Sequence, residues 1–136
     1  MDWKLEVVIL PVRDVDRTKA FYVEQMGFRC DVDYAAGEDF RVVQLTPNGS
    51  ACSVTLMRNV PSAGTVQGLH LVVPDIEAAR AELTGRSVEV SDFFHFGADG
   101  QTPGLDPERR DYGSYFSFAD PDGNGWLVQE VQQHLR

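Results

Sequence analysis

Apolar and polar positions alternate along the chain in two recognisable periods. The short β-branched run Val7-Val8-Ile9-Leu10 predicts a strand. Asp14 then stands where a helix N-cap would, ahead of Val15, Ala20, Phe21 and Met26 at helical spacing, and Gly27 ends that helix as a C-terminal cap would. Strand-like runs follow at about 28–34, 40–46 and 51–58, and Pro47-Asn48-Gly49 supplies a tight turn between the last two. The first half therefore reads βαβββ.

The second half repeats the order. Leu69-His70-Leu71-Val72-Val73 predicts a strand, Asp75 caps a helix that carries Ile76, Ala79 and Leu83, and Gly85 terminates it. Strands are expected at about 87–93, 112–119 and 126–131, with the turn Pro121-Asp122-Gly123 matching Pro47-Asn48-Gly49. Order is shared more than residue identity, as in an old internal repeat. Between Gly97 and Asp111 the chain is rich in Gly, Pro and Asp and predicts no element. Such a stretch serves either as a lid over a site or as a long surface loop.

With 136 residues, 43% of them hydrophobic, the chain can bury one core, which predicts a single domain over 1–136 with modules at about 4–60 and 66–132. A formal charge of -9, with basic residues scattered apart from Arg109 and Arg110, argues against nucleic acid and anionic membranes as partners. No apolar run has the length of a membrane span and the N-terminus lacks a signal-peptide layout, so a cytoplasmic location is expected. Cys30 and Cys52 fall within apparent strands and are expected to be buried free thiols.

The segment from Leu10 to Tyr22, followed by Met26-Gly27-Phe28, resembles the opening of vicinal-oxygen-chelate proteins, the superfamily of glyoxalases, bleomycin-resistance proteins and ring-cleaving dioxygenases. Asp120-Pro121-Asp122-Gly123-Asn124-Gly125 resembles their final hairpin turn. The resemblance implies an α+β fold in which two tandem βαβββ modules form a curved mixed-sheet half-barrel cavity, and a homodimer, either module-swapped or side by side. In metal-using relatives, donors project from the first and last strands of each module; carried over by spacing, those positions are Val7, Ser53, Gly68 and Leu127. None is a primary metal ligand, whereas a catalytic ion holds about three protein donors. The expectation is no metal and no other cofactor. The Asp120 turn also begins like a calcium loop, but Val131 occupies its twelfth position, where a bidentate Glu is required.

Strand side chains alternate between faces, so residues sharing parity with those four positions should line the cavity. That selects His70 beside Gly68 and Gln129 beside Leu127; Thr55 matches Gln129 through the turn offset, and the third strands offer Phe40, Val42 and Gln44, then Phe116 and Phe118, with Trp126 nearby. The opposite parity, Leu69, Leu71 and Val73 with Cys52, Val54 and Leu56, should pack on the helices, and Glu130 should face that side too. A lining of this kind suits a planar hydrophobic or aromatic small molecule, although each phenylalanine taken singly is more readily read as core. His70 is the candidate for proton transfer or, more plainly, a structural histidine; His95 lies at the mouth of the long loop and His134 in the tail. Two functions compete. The first is a metal-free binding protein for an aromatic compound, acting in sequestration or resistance. The alternative is an enzyme of lyase, isomerase or dioxygenase type, with His70 as acid/base or displaced metal ligand and metal-independent lyase or isomerase chemistry favoured. A protein with no ligand at all fits less well with inward Gln129, Thr55 and Gln44, because buried polar groups cost stability unless paired.

Overall fold

The computed structural model describes residues 1–132, so His134 lies outside the described residues. The chain forms two compact units: Met1–Val66 with Asp120–Asn124, and Gln67–Ala119 with the segment from Gly125 onward. The fold is α+β.

In the first unit, β1 (Val7–Val12) leads to α1 (Val15–Ala20), then β2 (Arg29–Ala36), β3 (Phe40–Thr46) and β4 (Ser53–Arg58). The Asp14 side chain accepts the Arg17 N–H, as its N-cap position predicts. After Ala20 the helix widens into a π turn over Phe21–Gln25, and Gly27 follows in a left-handed conformation. The sheet order is β1-β4-β3-β2, with β1 parallel to β4 and the other pairs antiparallel. Register puts Val43 opposite Leu56 and Leu45 opposite Val54. These four, with Leu10 and Val12, are buried on the face that α1 covers.

The unit also takes in the turn Asp120–Asn124, whose carboxylates are used by backbone and hydroxyl donors. Asp120 accepts the N–H groups of Asp122, Gly123 and Asn124 and the Tyr22 hydroxyl, while Asp122 accepts the Arg13 N–H and the Thr18 hydroxyl. The Asn124 amide donates to the Pro11 carbonyl and accepts the Val66 N–H. Gly64 approaches so closely, with φ 79°, that a Cβ there would stand 2.0 Å from the Asp122 carbonyl oxygen.

In the second unit, β5 (Leu69–Val73) leads to α2 (Ile76–Gly85), β6 (Phe94–Gly97), β7 (Gly100–Pro103), β8 (Ser114–Ala119) and β9 (Gly125–Glu130). Asp75 caps α2 by accepting the Ala78 N–H. The sheet order is β5-β9-β8-β6-β7, with β5 parallel to β9. Ile76, Leu83, Val88, Phe116, Phe118, Trp126 and Val128 are buried.

Several sequence expectations are corrected. The predicted strand at 87–93 is irregular: Ser87 takes a left-handed φ of 64°, and the segment touches β8 through an isolated pair of bonds, Ser91 N–H to the Ser117 carbonyl and Ser117 N–H to the Ser91 hydroxyl. The strand starts instead at Phe94. The end of α2 at Gly85, by contrast, is where the sequence puts it. The stretch 97–111, expected to hold no element, contains β7. Cys30 is exposed and Cys52 half-buried, so neither is a buried thiol. Among the described residues no helix is long and apolar enough to cross a membrane.

Candidate functional site

Each sheet has one face against its helix and one open face, and strand register decides which side chain goes where. In the second unit Leu69 and Phe118 flank Trp126, and Leu71 and Phe116 flank Val128. Phe116 and Phe118 therefore belong to the helix face, fully buried or nearly so, with Phe118 stacked on Trp126 at 5.8 Å. The expectation that they line the cavity is corrected, and Trp126 goes with them.

The reason is one residue of loop. β3 and β4 are joined by residues 47–52, but β8 and β9 by 120–124, one residue fewer. Shortening a hairpin connection by one shifts the pairing and turns every side chain of one strand to the other face. Thus Gln44 pairs with Thr55 in the first unit, whereas Tyr115 pairs with Gln129 and Ser117 with Leu127 in the second.

The open face of the second unit consequently carries His70, Val72, Leu127 and Gln129, together with Tyr115 and Ser117, which sequence parity missed. Phe94 pairs with Tyr115 and with Pro103, and Phe96 with Gln101, which brings β6 and β7 onto the same face. His95 takes the opposite parity, and its Nδ1 bonds the Gly104 carbonyl at 2.8 Å. Two recesses open here. The larger, of about 470 Å³, is walled by Phe93, Phe94, Pro103 and Leu127 and edged by Ser91, Asp92, Gln101 and Ser117. The smaller, of about 250 Å³, is lined by Phe96, Tyr112 and Tyr115 with Asp106, Arg110, Asp111 and Gly113. Tyr115 stacks on Phe94 at 5.4 Å and meets Phe96 edge-on at 5.3 Å.

Polar groups on this face are oriented. His70 is exposed, and its Nδ1 lies 2.6 Å from the Gly68 carbonyl. A carbonyl only accepts, so Nδ1 carries the hydrogen and Nε2 of the neutral ring is an acceptor. The Gln129 amide nitrogen donates to the Tyr115 hydroxyl at 3.0 Å and to the Tyr112 carbonyl at 3.4 Å.

The long connection is held down by ion pairs. Arg109 makes a two-pronged contact to Glu130, at 2.9 and 2.7 Å, and reaches Glu77 at 3.1 Å. Glu130, only 1% exposed, also accepts the Ile76 N–H at the start of α2, so it faces the helix side as its parity predicts. The Arg109 guanidinium holds the Glu130 carboxyl below its ordinary range against the opposing effect of burial. Arg110 forks onto Asp106 and likewise depresses its carboxyl well below the usual carboxylate range.

The open face of the first unit carries Val7, Ile9, Ser53, Thr55 and Gln44, with Val32, Tyr34 and Phe40 toward the β2 edge. Thr55 is buried beside its partner Gln44; Phe40 is 46% exposed and borders a charged recess of about 550 Å³ that includes Arg13, Asp16, Glu38, Asp39 and Arg41. At the surface, Asp33 accepts from Arg41 and Lys19, which lower its carboxyl well below the usual range.

The positions that hold metal in relatives do not fit an ion here. Val7 and Leu127 offer no donor atom, Gly68 has no side chain, and the Ser53 hydroxyl lies 2.6 Å from the Thr46 hydroxyl, which in turn bonds Asp31. Among the described residues no cluster of three or more His, Cys, Asp or Glu could hold a metal.

Comparison with known proteins agrees with this architecture. TnmS3, an antibiotic binding protein from Streptomyces sp. CB03234, is 30% identical, with 96% of this chain and 97% of that one covered and a TM-score of 0.75. A glyoxalase/bleomycin resistance protein from the same Streptomyces strain is 31% identical over 93% of this chain and 99% of its own, with a TM-score of 0.69. The uncharacterized protein YetH of Bacillus subtilis (strain 168) is 22% identical, covering 93% of this chain and 98% of that protein. Residues 4–128 match the family description Glyoxalase/Bleomycin resistance protein/Dioxygenase superfamily, and the chain belongs to that superfamily.

Proposed function

We propose that this protein binds a hydrophobic, planar aromatic small molecule without a metal and holds it out of solution, in the manner of a sequestration or resistance protein. The observation that carries the reading is the larger recess of the second unit, where Phe93, Phe94, Pro103 and Leu127 give apolar walls and Ser117 and Gln101 give a few polar fixtures. Binding sites for small organic molecules have this composition. The likeness to TnmS3, an antibiotic binding protein, supports an antibiotic-like ligand. Val7, Gly68 and Leu127 carry no side-chain donor, so the four positions supply no donor set for a metal. His70, tied to Gly68, is not among the residues that wall the recess.

Titration of the ¹⁵N-labelled protein with fluorene tests the proposal. Amide shifts at Phe94, Ser117 and Leu127 are expected, and Leu127→Asp should weaken binding about tenfold, because a carboxylate then has to be desolvated in the apolar wall. No binding by fluorene, or shifts confined to the first unit, would overturn it.

The proposal includes a homodimer. Val7, Ile9, Val32, Tyr34 and Phe40 leave the open face of the first unit with exposed large apolar side chains, and a second copy of the chain is the occupant that would cover them. Sedimentation velocity should give a dimer that Ile9→Glu converts to monomer; a monomeric parent protein at tens of micromolar would refute this part.

A further inference from the structure

We infer that the smaller recess of the second unit is a distinct subsite that reads a neutral carbonyl oxygen on an aromatic ligand, with Tyr115 as donor and Gln129 as the residue that positions it. The inference rests on the reading of this unit as an aromatic-binding site.

Hydrogen-bond direction carries it. The Gln129 amide nitrogen can only donate, so at 3.0 Å the Tyr115 oxygen accepts, and the phenolic hydrogen has no acceptor among the described residues. The same amide nitrogen reaches the carbonyl of Tyr112, a second wall residue, which keeps the phenol at the rim of the recess. Gln129 itself is 9% exposed, so the residue that orients the phenol is buried.

The walls suit a flat ring that presents an acceptor. Phe96 is 56% and Tyr112 45% exposed, two aromatic surfaces left uncovered beside the Tyr115 ring. The backbone is also unusual here, for Tyr112 holds a φ of 65° and Arg109 one of 50°, and strained backbone of this kind gathers at functional sites. Tyr112 is kept in place by its N–H bond to the Glu130 carbonyl at 2.8 Å.

Charge selects the acceptor. Arg110 is the cation at the recess, and it is committed to Asp106 at 3.0 Å and to Glu108 at 3.5 Å, with Asp111 also in the lining. The local balance is negative, so an anionic carboxylate is disfavoured and a ketone or quinone oxygen favoured.

The test uses 9-fluorenone, fluorene and fluorene-9-carboxylate as probes with the full chain. Fluorenone should bind roughly five- to tenfold more tightly than fluorene, the scale of one added hydrogen bond to a neutral acceptor, and should shift the amides of Tyr112, Gly113 and Tyr115. Tyr115→Phe keeps the ring and should bring fluorenone down to the affinity of fluorene. Gln129→Glu should do the same, because its carboxylate would take the phenolic hydrogen for itself. A purely structural role for either residue would instead move both probes together. If fluorene and fluorenone bind equally, or if fluorene-9-carboxylate binds best, the inference falls while the aromatic-binding reading stands. If none of the three binds, both fall.

Discussion

The two units share an element order and differ in what they do with it. In the first, β2 starts two residues after the Gly27 turn and runs for eight residues, so the sheet is finished early and its open face is left exposed. In the second, residues 86–113 intervene between α2 and β8, and from them come the irregular Ser91 segment, the added strand β7 and both recesses. Two ion pairs offer a matched contrast: Lys19, Asp33 and Arg41 pair at the surface of the first unit, whereas Glu130 is buried beneath Arg109 in the second. The repeated part of the pattern makes the fold, and the part that departs from repetition makes the site.

Removing one ring from a helix face and one from an open face should show the largest difference between the units. Phe118→Ala removes a ring from the helix face and should cost about 3–5 kcal/mol, the usual loss for a buried aromatic. Phe40→Ala, on the half-exposed open face of the first unit, should cost within about 1 kcal/mol. Urea denaturation of both variants decides it. Equal costs would mean that Phe118 lies on the open face after all.

A smaller effect separates the two kinds of ion pair. Arg109→Ala leaves Glu130 buried and charged, which should cost about 2–3 kcal/mol at pH 7, with the usual figure for a broken buried pair reduced because Arg109 is one-third exposed. Lys19→Ala should cost less than about 1 kcal/mol. The pH dependence has a defined sign. Glu130 has a folded pKa depressed by Arg109, so its contribution is present above the unfolded carboxylate value and is lost as pH falls through the folded value. Without Arg109, burial pushes the same carboxyl upward and it protonates readily in acid. The gap between wild type and Arg109→Ala should therefore narrow as pH falls, first above the unfolded glutamate value as the raised carboxyl of the variant protonates and then below it as the wild type loses its depressed carboxylate, and a gap constant from pH 7 to 3 would contradict the assignment.

The features legible in the sequence are the local ones. Asp14 and Asp75 cap the helices they precede because a cap needs only a side chain and an N–H three residues on. Glu130 could be assigned to the helix side because alternation within one strand is also local. The faces of Phe116 and Phe118 could not be read the same way: alternation gives two faces, but which one points to the helix depends on pairing across the turn, and a loop one residue shorter reverses it. Tyr115 was missed for the same reason. β7 was hidden because Gly100-Gln101-Thr102-Pro103 has no strand periodicity of its own and pairs only through β6. The family match could be anticipated from the Leu10–Tyr22 and Asp120–Gly125 segments, which build the helix cap and the turn.

The smallest expected effect concerns His70, which pairs with Leu127 but which the recess does not include. Its ring is exposed, and its one hydrogen bond of note goes to the carbonyl of Gly68, two residues away. A local, solvated bond of this kind contributes about 1 kcal/mol or less, so His70→Ala should lower the melting temperature by only a few degrees. Fluorene affinity should stay within twofold, because the parallel neighbour of His70, Leu127, forms the wall and keeps its position without the imidazole. A fall in affinity beyond about fivefold in a folded His70→Ala protein would extend the site across β5 and return the imidazole to the ligand. A fall in stability without a fall in affinity leaves it as the anchor of the turn into β5, and the functional face of the second unit then runs from β9 toward β7 rather than toward β5.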